Sequence, residues 1–228
     1  ALCSTKFALQ GIMKMFYSGK FIGDVRNTQN IKLAELAQGL CSTAQLARIE
    51  SGVRSAEKLL FDSLYERLGK NTERFTAYLD CDEYERLLAR IRICCCIDEG
   101  RYSEAKEQIA AYRKTTKNNI HMQYLCLAEC ELMQKTGSSV SACKDKLMEG
   151  IRCTYPKFDI DNIAGYYLSR LEMLLVQQYV NCIEQSGQKD RAAKLYGDIL
   201  DCLDGDRYEQ SERERLYGYV GYRLMKYY

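Results

Sequence analysis

Tryptophan is absent from this chain, and proline and histidine occur once each, as Pro156 and His121. A single proline in 228 residues leaves helix interiors unbroken along almost the whole length, because the proline ring removes a backbone donor and clashes with the preceding turn. The lone histidine falls on a helical segment among polar neighbours, where a surface or core side chain is the commoner role than a catalyst. No Gly-x-Ser-x-Gly elbow and no Walker phosphate loop is present. Carboxylates alternate with basic residues at helical spacing, as in Glu209, Glu212, Arg213, Glu214 and Arg215; that is the pattern of a solvated helix face. No catalytic residue, metal ligand or cofactor is therefore expected. No run of about eighteen apolar residues occurs, so no membrane partner is expected. The first twenty residues have scattered lysines without an apolar core and small-residue cleavage site, so no secretory signal is expected either.

Cysteine, by contrast, is plentiful, with twelve residues. They fall inside amphipathic patterns (Cys94, Cys95, Cys96, Cys126, Cys130), and no two have the Cys-x-x-Cys spacing of a zinc ribbon. Cys126 and Cys130 stand one helical turn apart near His121, but free cysteine ordinarily packs as a small hydrophobe. A long, helix-rich chain is also unlike a small disulfide scaffold. The expected location is the reducing cytoplasm. The net charge of +2 is unevenly spread: residues 1–80 hold 11 Lys and Arg against 8 Asp and Glu, and residues 81–228 hold 22 against 23. The basic excess lies in the first third, which permits a phosphate-binding face there.

Apolar residues recur every three or four positions, as helices require. Residues 16–79 hold five short blocks, around Phe21, Ile22 and Val25; Leu33, Leu36, Ala37 and Leu40; Leu46 and Ile49; Leu59, Leu60, Leu64 and Leu68; and Phe75 and Leu79. From residue 82 the helices lengthen and pair: 83–97 with 103–114, 119–135 with 139–152, and a long helix 161–185 with 189–203, then a last helix from about 210 to the end. A glycine stands five residues before an alanine in each hairpin (Gly100 and Ala105, Gly137 and Ala142, Gly187 and Ala192). The glycine lets the chain reverse, and the alanine lets the second helix approach closely. This is a degenerate helical-hairpin repeat, the basis of an α-solenoid.

The stretch from Leu33 to Gly52 reads as helix, turn, helix. Ala37 is small where the helices meet, and Ser42 with Gln45 forms a Ser-x-x-Gln capping box. Leu46 and Ile49 face inward, which leaves Thr43, Ala44, Gln45 and Arg48 outside. These residues resemble the Cro/C1-type (Xre) helix-turn-helix, whose Arg-Ile-Glu-x-Gly ending is matched by Arg48 to Gly52. The Gly39-Leu40-Cys41-Ser42 turn is similar to that of peptide-sensing quorum regulators of the PlcR and Rgg type, which join such a domain to tetratricopeptide-like repeats. The resemblance covers residues 20–69; over 82–228 it is architectural. It implies an all-α chain, with a five-helix Cro/C1-type bundle at 16–80 and an α-solenoid of tetratricopeptide-like hairpins at 81–228 for sensing or dimerisation.

The resemblance also implies roles. The helix entered at Ser42 would lie in the major groove of double-stranded DNA, with Thr43, Ala44, Gln45 and Arg48 at the base edges. Lys32, Ser42 and Arg54 would touch phosphate, and Arg26 would pair structurally with Glu50. Leu33 stands where the family commonly has a phosphate-binding glutamine, and Ala56 where a proline often follows the turn. One small helix reads few bases, so a homodimer on a pseudo-palindromic site is expected. In the repeats, Arg90, Tyr124, Gln177, Asn181 and Tyr222 would line a groove for a short signalling peptide. The alternative is a helical-repeat interaction scaffold that reads no DNA.

Overall fold

The structure, a computed structural model, describes residues 19–72, 81–205 and 207–225, and every regular element among them is helical. Four helices form the N-terminal bundle: α1 (19–28), α2 (Leu33–Ala37), α3 (Thr43–Glu50) and α4 (Lys58–Arg67). Their inward residues, including Ile22, Leu36, Leu46, Ile49, Leu64 and Leu68, make one core. The fifth expected helix, around Phe75 and Leu79, lies outside the described residues, as do residues 16–18.

Seven helices follow: α5 (Cys81–Asp98), α6 (Tyr102–Thr115), α7 (Asn119–Lys135), α8 (Val140–Arg152), α9 (Arg170–Gln185), α10 (Lys189–Asp204) and α11 (Gln210–Leu224). Each hairpin closes in the same way. Gly100, Gly137 and Gly187 have φ of 76°, 78° and 84°. The residue after each glycine donates its N–H to the carbonyl five positions earlier: Arg101 to Cys96, Ser138 to Met133, Gln188 to Ile183. A left-handed residue past the helix end allows this closure, and glycine takes that conformation without a Cβ penalty. Ala105 and Ala192 are fully buried beside these turns. Ala142 is only half-buried. Helix α8 starts three residues after its glycine, whereas α6 and α10 start two after theirs, so the buried position passes to Cys143.

The expected long helix 161–185 does not form. A 3-10 segment, Ile160–Gly165, contains Asn162 in a non-helical conformation, and extended backbone follows it. Helix α9 then starts afresh behind a capping box, in which the Ser169 side chain receives the Glu172 N–H and the Glu172 side chain receives the Ser169 N–H. The missed signal was this Ser-x-x-Glu pair beside Gly165.

The bundle sits against the N-terminal ends of α5, α7, α9 and α11. The Glu83 carboxylate on α5 accepts the Lys58 N–H at 3.2 Å, and Asn119 at the start of α7 donates to the Gly39 carbonyl at 3.0 Å. The Arg170 N–H donates to Glu66 at 2.9 Å, and the Glu209 N–H before α11 donates to the Gly69 carbonyl at 2.8 Å. At the centre, Arg67 on α4 and Glu172 on α9 form a fully buried ion pair. Arg67 Nε donates to Glu172 at 3.1 Å, and Nη1 donates to the carbonyls of Leu36 (3.0 Å) and Gln38 (2.7 Å). Glu172 also accepts the Thr154 hydroxyl at 2.6 Å and the Ser169 N–H at 2.8 Å. Burial alone would raise the Glu172 carboxyl, but the Arg67 guanidinium, with Thr154 and the Ser169 N–H, outweighs it and holds the group below its ordinary value.

Two predictions follow from this seam. Arg67→Met alone leaves Glu172 charged and unpaired, and should destabilise the fold by about 3–5 kcal/mol in urea unfolding, while Arg67→Met with Glu172→Leu should recover most of the loss. The second concerns Glu66, which burial pushes up to about 7 despite Arg170. A carboxyl raised in the folded state favours folding below its unfolded value, and that contribution is lost as pH rises through the folded value. Relative to Glu66→Gln, the natural chain should therefore lose stability between about pH 5 and about pH 8 in thermal melts; parallel curves for the two proteins would show that Glu66 is not so shifted.

Candidate nucleic-acid interface

Helix α3 is short, and its placement rests on contacts made at both ends and on its inner face. At its start the Ser42 hydroxyl oxygen accepts the Gln45 N–H at 3.1 Å. Only this half of the expected capping box forms; because the hydroxyl oxygen is the acceptor there, the Ser42 hydroxyl proton can donate outward. Leu46 and Ile49 are buried in the bundle core. Thr43, Ala44 and Arg48 are exposed, and Gln45 is half-buried. Leu46 and Ile49 thus anchor one side of the rod, and the opposite side is left to solvent.

The C-terminal end of α3 is fixed by Glu50. Arg26 on α1 meets it through two bonds, Nε to Oε1 at 2.7 Å and Nη2 to Oε2 at 2.8 Å, and its Nη1 donates to the Ile31 carbonyl at 2.9 Å. The fork geometry ties α1, the loop after it and α3 into one unit. Two glycines one turn apart on α1 make the approach possible. A Cβ on Gly19 would lie 2.0 Å from the Ile49 carbonyl oxygen, and one on Gly23 would press on the Glu50 carboxylate at 3.3 Å. Sequence reading missed this pair, although glycines at i and i+4 on one helix face are a visible sign of close packing.

The turn between α2 and α3 is held from behind. Gly39 has φ of 69°, and a Cβ there would meet the Thr154 backbone at 2.3 Å. With Arg67 on the Leu36 and Gln38 carbonyls and Asn119 on the Gly39 carbonyl, the turn is clamped by α4 and by the repeat half. The clamp lies on the side away from Thr43 and Arg48, which the repeat half leaves uncovered. Lys32 precedes α2, where its backbone N–H is capped by Glu35 at 2.9 Å, and its side chain is exposed. Arg54 is exposed just past α3, and its N–H closes the helix end on the Arg48 carbonyl at 3.1 Å. Beside it Val53 is 77% exposed, an apolar side chain on the rim of an otherwise polar face. Four potential cation or hydroxyl donors (Lys32, Ser42, Arg48, Arg54) thus surround a helix whose apolar side is buried.

The five groove residues read from the sequence do not share one open surface. Arg90 and Tyr124 meet in the seam of α5, α6 and α7: Arg90 Nη1 donates to the Tyr112 hydroxyl at 3.0 Å, and the Tyr124 hydroxyl donates to the Arg90 carbonyl at 2.9 Å. Gln177 and Asn181 lie one turn apart on α9 and are buried; Gln177 Nε2 and Asn181 Oδ1 have no hydrogen-bond partner. Tyr222, on α11, is exposed.

His121 is buried and bridges the two halves. Its Nε2 lies 2.9 Å from Glu57 in the bundle, and its Nδ1 lies 2.6 Å from the Tyr112 hydroxyl in the repeats. One tautomer satisfies both bonds, with Nε2–H donating to Glu57 and Nδ1 accepting from Tyr112. The eleven described cysteines are free thiols. No group of three or more His, Cys, Asp or Glu able to hold a metal ion occurs among the described residues, and no described helix is long and apolar enough to cross a membrane.

No family model matches the chain, and no curated protein matches it. Among solved structures, it is similar to Bacillus thuringiensis PlcR in complex with the peptide PapR7 and DNA, with a TM-score of 0.46 and 14% identity over 92% of this chain and 72% of that one.

Proposed function

We propose that the chain is a sequence-specific DNA-binding transcriptional regulator, acting as a homodimer, whose helical repeats sense a short peptide or hold the dimer together. The observation that carries the reading is the two-sided character of α3. Its apolar side is locked into the bundle by Leu46, Ile49 and the Arg26–Glu50 pair, and its polar side projects with Thr43, Ala44 and Arg48 uncovered. Every surface helix turns a polar side outward; what suits this one to the major groove is that Lys32, Ser42, Arg48 and Arg54, all exposed, surround a helix fixed at both ends. Arg48 can pair with guanine through two bonds, Gln45 with adenine, and Ala44 can touch a thymine methyl. Lys32, Ser42 and Arg54 flank them as phosphate contacts that fix register and carry no sequence information.

For the repeats, the peptide reading is supported by Gln177 and Asn181. A buried amide donor and a buried amide acceptor, both unpartnered and one turn apart on α9, would match what a peptide unit offers once the side chains covering them moved aside. The scaffold reading, in which the repeats bind another protein and α3 reads nothing, predicts no DNA affinity.

Selection of bound DNA from a random pool is the deciding experiment. A recovered motif with affinity that falls steeply with salt is expected; failure to enrich any sequence would overturn the reading in favour of the scaffold. Within a recovered motif, Arg48→Ala should cost about 1–3 kcal/mol at one base position. Arg54→Ala and Lys32→Ala should weaken all sequences alike and each lower the salt slope by about 1. If Arg48→Ala instead behaves like these two, Arg48 holds phosphate and the base map is wrong.

A further inference from the structure

Helices α6 and α7, the turn after α7 and Lys146 in the middle of α8 line an open cleft of about 680 Å³. None of the α3 residues and none of the five residues read as a peptide groove lines it. A volume of several hundred Å³ is that of a site for a small organic ligand. Its floor is apolar. Ile109 and Leu132 are each 5% exposed, and Met133 stands partly buried beside them.

The lining is unequal in charge, with four cations and one carboxylate. Arg113 and Lys146 both pair with that carboxylate, Glu129, and Lys146 also reaches Glu149 at 2.6 Å. Lys106 and Lys114 are exposed and make no ion pair among the described residues. Lys106, Arg113 and Lys114 come from one helix; Arg113 is taken up by Glu129, and Lys114 beside it is the cation left to meet an anion.

The cations are also ordered along the cleft. Helices α6 and α7 run antiparallel, so Arg113 faces Glu129 and Ile109 faces Leu132 and Met133. One end therefore gathers Arg113, Lys114 and Lys146, the middle is apolar, and Lys106 stands at the far end near Thr136 and Ser138. We propose that this cleft binds an organic anion with an extended apolar body, its carboxylate or phosphate at the Arg113–Lys114–Lys146 end and its apolar part along Ile109, Leu132 and Met133. Charge complementarity fixes the headgroup, and burial of apolar area fixes the tail. Such a ligand would touch α7, whose first turn holds Gly39 through Asn119 and Glu57 through His121.

The test uses the full chain labelled at its methionine methyl groups, with the Met133 signal assigned by its loss in Met133→Leu. Dodecanoate, added below its micelle concentration, should shift the Met133 methyl signal saturably and leave that of exposed Met225 in place. Lys114→Glu combined with Lys106→Glu should weaken binding by at least about tenfold. Ala110→Trp, at an exposed position on the rim, should block it while circular dichroism stays unchanged. Three outcomes would overturn the proposal: no Met133 shift, equal binding of uncharged dodecanol, or binding untouched by the lysine double variant. A response to an acidic apolar peptide but not to dodecanoate would equally reject it. None of these readouts uses DNA, so failure here leaves the regulator reading where it stands.

Discussion

The buried pair of Arg67 and Glu172 is the contact on which the arrangement of the two halves turns. Neither side chain has exposed surface. Two charges removed from water in this way contribute little net stability, because desolvation consumes most of the Coulomb attraction. What they contribute is exclusivity. Arg67 can be buried only where Glu172 meets it and where the Leu36 and Gln38 carbonyls take its remaining N–H groups. Glu172 can be buried only where Thr154, the Ser169 N–H and Arg67 fill its lone pairs. Any other seating of the bundle on the repeats would leave a charge dry and unpaired, at a penalty of several kcal/mol. The chain thereby rejects alternative dockings that apolar packing alone would tolerate.

The same pair connects the helix-turn-helix to the repeats by a short physical path. Gln123 on α7 donates to the Thr154 hydroxyl, which donates to Glu172, which holds Arg67, which holds the backbone of the turn leading into α3. Gly39 rests on the Thr154 backbone in the same place. A second path runs from Tyr112 through His121 to Glu57, just before α4. Both begin on helices of the repeat hairpins and end on backbone or cap positions of the bundle. A rearrangement among α6, α7 and α9 would therefore change bonds that position α3, without either half unfolding.

What could be read from the sequence was local. Helical periodicity placed α5 to α8 and α10 to within two residues at both ends, and α11 at its start; the Ser42 cap, the glycine turns and the Arg26–Glu50 pair rest on short-range or motif-borne signals. Helix α9 was misjudged because its apolar period continues upstream through Ile160 and Ile163, while the capping box that restarts the helix is a polar signal of only two residues. Arg67 and Glu172 were not singled out for a different reason. They lie 105 positions apart, each inside an ordinary amphipathic pattern, and nothing at either site marks a charge as buried. Of the residues expected to line a groove, Arg90 and Tyr124 are engaged with one another and with Tyr112 where α5, α6 and α7 pack, a partnership between helices that periodicity within one helix does not carry.

Rigid docking has a consequence for DNA reading that a flexible tether would not. A dimer reading two half-sites needs its recognition helices about 34 Å apart, in register with one turn of the duplex. If the bundles hung on loose linkers, that spacing would be one arrangement among many, and selecting it would cost binding energy. Here the bundle is bonded to the N-terminal ends of α5, α7, α9 and α11, so in the proposed dimer, were it held by the repeats, their association would set the separation of the two copies of α3. The specificity of the proposed regulator thus resides in two places, the side chains of α3 and the geometry of a surface far from it. An agent that altered the packing of the repeats could abolish operator binding while leaving Thr43, Gln45 and Arg48 untouched.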